Sequence, residues 1–141
     1  IARENNINKT GEKMTNILAG LVASTLSFIA NRFIFSKLGL WTVIYLIPWS
    51  EELFKTVLAY HLGSDLIVTH SIFGLLEASL DLFNNNNLAA VLALLTHLFF
   101  GILTFYFWRW SNNLIVSIAV VALVHTAWNY LIRRLDHEIN L

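Results

Sequence analysis

The sequence predicts an all-α polytopic membrane protein, a bundle of about five transmembrane helices. Three observations predict it. The chain of 141 residues is 57% hydrophobic and 13% charged, about half the charged share of an ordinary soluble domain. Its mean hydropathy is +0.63. Its apolar residues gather into five runs of about 20 residues, each enough to cross roughly 30 Å of hydrocarbon as a helix.

The runs cover residues 14–35, 39–61, 65–83, 88–108 and 114–135, the third being the shortest and most polar. The links "SKLG", "LGSD", "NNNN" and "RWSNN" hold the turn and capping residues expected at helix ends. Links this short make successive helices antiparallel neighbours. The expected organisation is a polar N-terminal tail at 1–13, one transmembrane domain at 14–135 and a polar C-terminal tail at 136–141. The chain begins at Ile1 rather than Met, as expected of a processed or trimmed piece of something longer. Trp41, Tyr106, Trp108 and Trp110 fall near span ends, where an interfacial aromatic belt belongs. A soluble bundle would show charged helix faces, which the first, fourth and fifth runs lack. The absence of cysteine excludes thiolate and disulfide chemistry, and a net charge of zero offers nothing to nucleic acid. The expected surroundings are the lipid bilayer.

The second run contains "PWSEELFK", with two glutamates and a lysine in a membrane-length segment. Counting along each run, Glu51, Glu52, Glu77, His97 and His125 fall at similar depths on four different helices. Each charged group at mid-bilayer costs roughly 2.5–3.5 kcal/mol on insertion scales, so these side chains are expected to face one another or water. Spacing supports shared faces: Lys55 lies within reach of Glu51 and Glu52, His70 shares a stripe with Gly74, Glu77 and Asp81, and His125 is one turn from Asn129. Gly101, one turn beyond His97, is expected to open space beside that imidazole. His61 and His137 are placed at the interfaces, and Trp128 in packing.

A carboxylate in an apolar cavity can act as general base on water. An imidazole can orient that water or pass a proton, and an imidazole with an amide can stabilise an oxyanion. Together these suffice for peptide hydrolysis without a covalent intermediate. The alternative use of the same groups is a divalent ion such as zinc held by Glu51, Glu77, His97 and His125, although the H-E-x-x-H spacing is absent. A common site requires a carboxylate of Glu51 or Glu52 within one water of His97 or His125, at most roughly 6 Å.

The order "EELFK" (Glu51–Lys55), "FGLLE" (Phe73–Glu77), "HLFFG" (His97–Gly101) and "HTAWN" (His125–Asn129) resembles the PrsW-type intramembrane proteases, within the superfamily of CAAX prenyl proteases and Abi proteins. The resemblance spans residues 49–130. It departs from the wider pattern at Thr56, where arginine is usual, and at Leu66 and Ala93, where phenylalanine precedes a histidine. It implies Glu51 as general base, Glu52 as its partner, Lys55 as charge balance, His97 as a water ligand, and His125 with Asn129 as oxyanion hole. Glu77 and His70 are expected in support. No cofactor beyond a possible divalent metal is implied. The implied substrate is a membrane-tethered protein, and the implied location a prokaryotic inner membrane. Two other uses of midplane Glu and His remain open: a catalytically inactive scaffold, and a proton- or ion-coupled carrier.

Overall fold

The computed structural model describes the backbone of residues 2–139 and the side chains of residues 10–135. The side chain of His137, and residues 140 and 141, lie outside what is described. The protein is all-helical: α1 (Ala2–Leu38), α2 (Thr42–Tyr45), α3 (Ile47–Leu62), α4 (Leu66–Phe83), α5 (Asn87–Ser111) and α6 (Leu114–Ile139), with no strand among the described residues. Four helices are long and apolar enough to cross a membrane, through Thr10–Leu38, Leu66–Phe83, Asn87–Ser111 and Leu114–Leu135. The polar stretch before Met14 does not hang free of the first span, because α1 continues back through it to Ala2.

The second apolar run differs from the expected single helix over 39–61. Gly39 takes the left-handed conformation (φ 82°) and ends α1. After the four-residue α2, the chain kinks at Leu46 and restarts as the 16-residue α3. Pro48 is the physical reason, since it has no N–H to give the Ile44 carbonyl and its ring crowds that turn. At 1.5 Å per residue α3 reaches only about 24 Å, short of a full bilayer crossing. It lies against α1, α4 and α6 and buries Glu51, Glu52, Lys55, Thr56 and Ala59.

The other helix ends follow the expected chemistry. Gly63 (φ 64°) closes α3, with Ser64 N–H donating to Ala59 O over 2.8 Å. Asp65 caps α4 by accepting from Val68 N–H, and Asn86 caps α5 by accepting from Ala89 N–H. Asn112 (φ 50°) ends α5, and the Asn113 side chain accepts from Ile115 N–H at 2.9 Å as α6 begins.

α4 and α5 form the most extensive helix pair. α1 packs on α3 and α4 through a small and polar face: Asn16, Ala19, Ala23 and Ser27 are all buried. Large apolar side chains point outward instead, among them Phe28, Phe33, Leu75, Leu95 and Ile115. That inversion suits a lipid solvent, where small residues let helices approach and bulky apolar groups meet acyl chains. Trp41, Tyr106 and Trp110 are exposed near helix ends.

Candidate active site

The site is built around Glu52. On α3, residues three and four apart share a face, so Glu52, Lys55, Thr56 and Ala59 all turn inward. The Glu52 side chain is wholly buried. Its Oε1 accepts from Lys55 Nζ at 2.5 Å and from His125 Nδ1 at 3.0 Å. Its Oε2 faces His70 Nε2 at 3.1 Å. Burying one carboxylate costs several kcal/mol, and a matched set of charge-assisted donors offsets that cost.

The donor rules fix much of the proton arrangement. The Lys55 ammonium can only donate, so His97 Nδ1, 3.1 Å away, accepts from it. His97 Nε2–H then donates to Glu77 Oε2 at 2.5 Å. His70 Nδ1–H donates to the Leu66 carbonyl at 2.8 Å, and a second hydrogen lies between His70 Nε2 and Glu52 Oε2. His125 donates from Nδ1, and in the neutral imidazole that leaves Nε2 as an acceptor. That nitrogen is turned toward Glu51 Oε2 across 4.0 Å. Phe100 lies over the His125 ring at 4.6 Å between centroids, Phe73 against His97 at 4.9 Å, and the two histidines meet edge to face at 5.7 Å.

Glu51 faces differently from its neighbour. Its Oε1 accepts from Asn31 Nδ2 of α1 at 2.7 Å, and Ser50 Oγ donates to Asn31 Oδ1 at 2.8 Å. Its Oε2 has only His125 Nε2 nearby among the described residues. A separation of 4.0 Å is one that a water hydrogen-bonded to both atoms at about 2.8 Å could span.

The structure therefore brings Glu51, Glu52, Lys55, His70, His97 and His125 into one cluster, with Glu77 at its edge and 47% of that side chain exposed. The expected reach of one water is met at Glu52–His125 and Glu51–His125. Several expectations need correcting. Only Glu52, not both glutamates, contacts Lys55. The space beside His97 comes from Gly74 of α4, where an added Cβ would lie 2.7 Å from His97 Cβ. Gly101 instead receives His70, whose Cβ would lie 2.9 Å from a new Cβ there. His97, expected to help position the water, contacts Lys55 and Glu77. Asn129 donates its amide to the Val43 carbonyl at 3.0 Å and straps α6 to α2.

The residues Glu51, Glu77, His97 and His125 are not drawn together as one ligand set. Among the described residues no three His, Asp or Glu side chains are grouped to hold a metal, and the Lys55 ammonium stands among these side chains as the cluster's own cation.

Asn31, Ser50 and Thr104, whose hydroxyl lies 3.5 Å from His70 Nε2, join the cluster without having stood out in the sequence. A signal for Asn31 exists: Asn16, Gly20, Ala23, Ser27 and Asn31 recur at helical spacing as a small and polar stripe in an apolar span. Beyond Phe100, an apolar groove of about 430 Å³ between α5 and α6 is lined by Leu95, Phe99, Val124, Trp128 and Leu131. No family model matches the chain, and no curated protein or solved structure is similar to it.

Proposed function

We propose that this membrane protein is an intramembrane protease of the PrsW type, which hydrolyses peptide bonds of membrane-tethered proteins with glutamate-activated water. One observation carries the reading. Glu51 Oε2 and His125 Nε2 face each other at a separation one water can bridge, on a carboxylate that its neighbours leave half unsatisfied. Held by two acceptors, that water presents a lone pair to a substrate carbonyl carbon. As the new C–O bond forms, its proton passes to Glu51 Oε2. Glu51 then delivers the proton to the amide nitrogen as the C–N bond breaks. His125 is the water-orienting base in this scheme, its tautomer fixed by Glu52, in place of the oxyanion role expected of it with Asn129. Glu52, Lys55, His70 and His97 form the charge-matched support. A bacterial inner membrane is the location the motif resemblance favours.

The test compares new protein termini in membranes holding wild-type protein with those holding Glu51→Gln at equal abundance. The expected outcome is a set of single-span protein fragments found only with wild type. Identical sets remove the protease reading.

A proton-coupled carrier is the second reading, and a specific feature favours it. Glu77, His97, Lys55, Glu52 and His125 form an unbroken hydrogen-bonded chain from an exposed carboxylate to the buried centre. Proton flux in vesicles that depends on Glu77 and His97, with no cleavage, selects it.

A further inference from the structure

We infer that Asn31, on the one long helix that carries none of the four motifs, is the positioning residue for Glu51; the inference rests on the protease reading and deepens it. Glu51 has two chemically equivalent oxygens, and a general base that must present one of them needs the other occupied. Asn31 Nδ2 occupies Oε1 at 2.7 Å. The amide oxygen in turn faces the Ser50 hydroxyl at 2.8 Å, whose one hydrogen is shared with the Ile47 carbonyl at 2.9 Å. The reverse amide orientation would set Oδ1 against a carboxylate oxygen, two acceptors in contact. Ser50 precedes Glu51 on α3, so one amide from α1 grips two consecutive residues and fixes the rotation of the Glu51 side chain.

The consequence is selective. With a donor on Oε1, a proton taken from water stays on Oε2, the oxygen that faces His125 and must return it to the leaving nitrogen. Lys55 does not supply this control, because its ammonium is bound to Glu52 and His97. His125 does not either, since its closer nitrogen is bound to Glu52. Asn31 is the only donor to the Glu51 carboxylate among the described residues.

The test uses Asn31→Leu, which keeps the size and removes the amide, and Asn31→Asp, which keeps the shape and removes the donor. Turnover is measured in vesicles on a single-span protein recovered in the terminus comparison. Both variants are expected to lower kcat per folded molecule on the order of 10- to 100-fold with KM within about twofold, as misplacing a reacting group does. Asn31→Asp is expected to be the worse of the two despite being the closer in shape. A purely packing role predicts less folded protein but unchanged kcat per folded molecule, and that result overturns the proposal.

A second measurement needs no catalysis. Asn31→Leu, Glu51→Leu and the double variant are unfolded by heat in detergent. The contact predicts that the double variant loses less than the sum of the singles; additive losses overturn it. A non-additive cycle in a protein whose wild type cleaves nothing removes the protease reading, and with it the catalytic role of Asn31, while leaving the contact in place.

Discussion

Glu51 and Glu52 are adjacent in the chain and opposite in circumstance. Glu52 is sealed and saturated, with Lys55, His70 and His125 all directed at it. Glu51 is held at one oxygen by Asn31 and has its other oxygen 4.0 Å from His125 Nε2, out of direct hydrogen-bond reach. Successive residues on a helix point about 100° apart, so one turn of α3 delivers one carboxylate to the interior and its neighbour to the seam between α1 and α6. A saturated carboxylate can do little but hold the structure together. An unsaturated one has capacity for chemistry. The difference separates what stabilises this cluster from what can react in it.

The sharpest way to break that comparison is to neutralise each glutamate in turn. Glu51→Gln is expected to reduce cleavage by about 10²–10⁴-fold, the scale of a lost general base, with folded protein at wild-type abundance. Turnover and detergent-extracted yield measured together check it. Glu52→Gln is expected to act on folding instead. Removing one partner of a buried charge set costs about 3–5 kcal/mol, read as a large fall in unfolding temperature. Lys55→Met added to Glu52→Gln is expected to recover part of that loss, because the orphaned ammonium is then removed as well. If Glu51→Gln unfolds the protein and Glu52→Gln does not, the two roles are reversed.

Smaller effects sharpen the picture. Gly74→Ala is expected to destabilise by about 1–3 kcal/mol, because its Cβ would sit 2.7 Å from His97 Cβ and 3.2 Å from the Ala93 carbonyl. Asn129→Leu is expected to cost about 1 kcal/mol through the lost bond to Val43. It should spare turnover by comparison with the 10²–10³-fold loss on the order expected of an oxyanion donor. A loss of that larger size in folded protein restores Asn129 to the oxyanion role.

Much of this was legible in the sequence. Hydropathy runs and capping residues placed α4, α5 and α6 closely, because a lipid-spanning helix has to announce its length in apolar residues. Mid-span Glu and His were bound to converge, since lipid offers them no partner. What was not legible depended on neighbours in space. No spacing rule says which of two adjacent glutamates meets Lys55, because both lie within a turn of it. Gly101 serves the histidine of another helix, which intrahelical spacing could not show. Asn31 belongs to a small and polar stripe of its span, but only contact with α3 gives it a task. The split of the second run into α2 and a short α3 was not read from the sequence, although Pro48 stands at the break.

The exchange between Gly74 and His97, and between Gly101 and His70, bears on how the molecule moves. Each imidazole stem is seated against the partner helix where an alanine would already collide. Sliding α4 along α5 would drive both histidines into backbone at once. The pair therefore behaves as a rigid plate. On the proposed protease reading, a polypeptide would reach Glu51 from the other side of the cluster, where α1 and α6 each pack on α3, Asn31 is bonded to Glu51 and Asn129 ties α6 to α2.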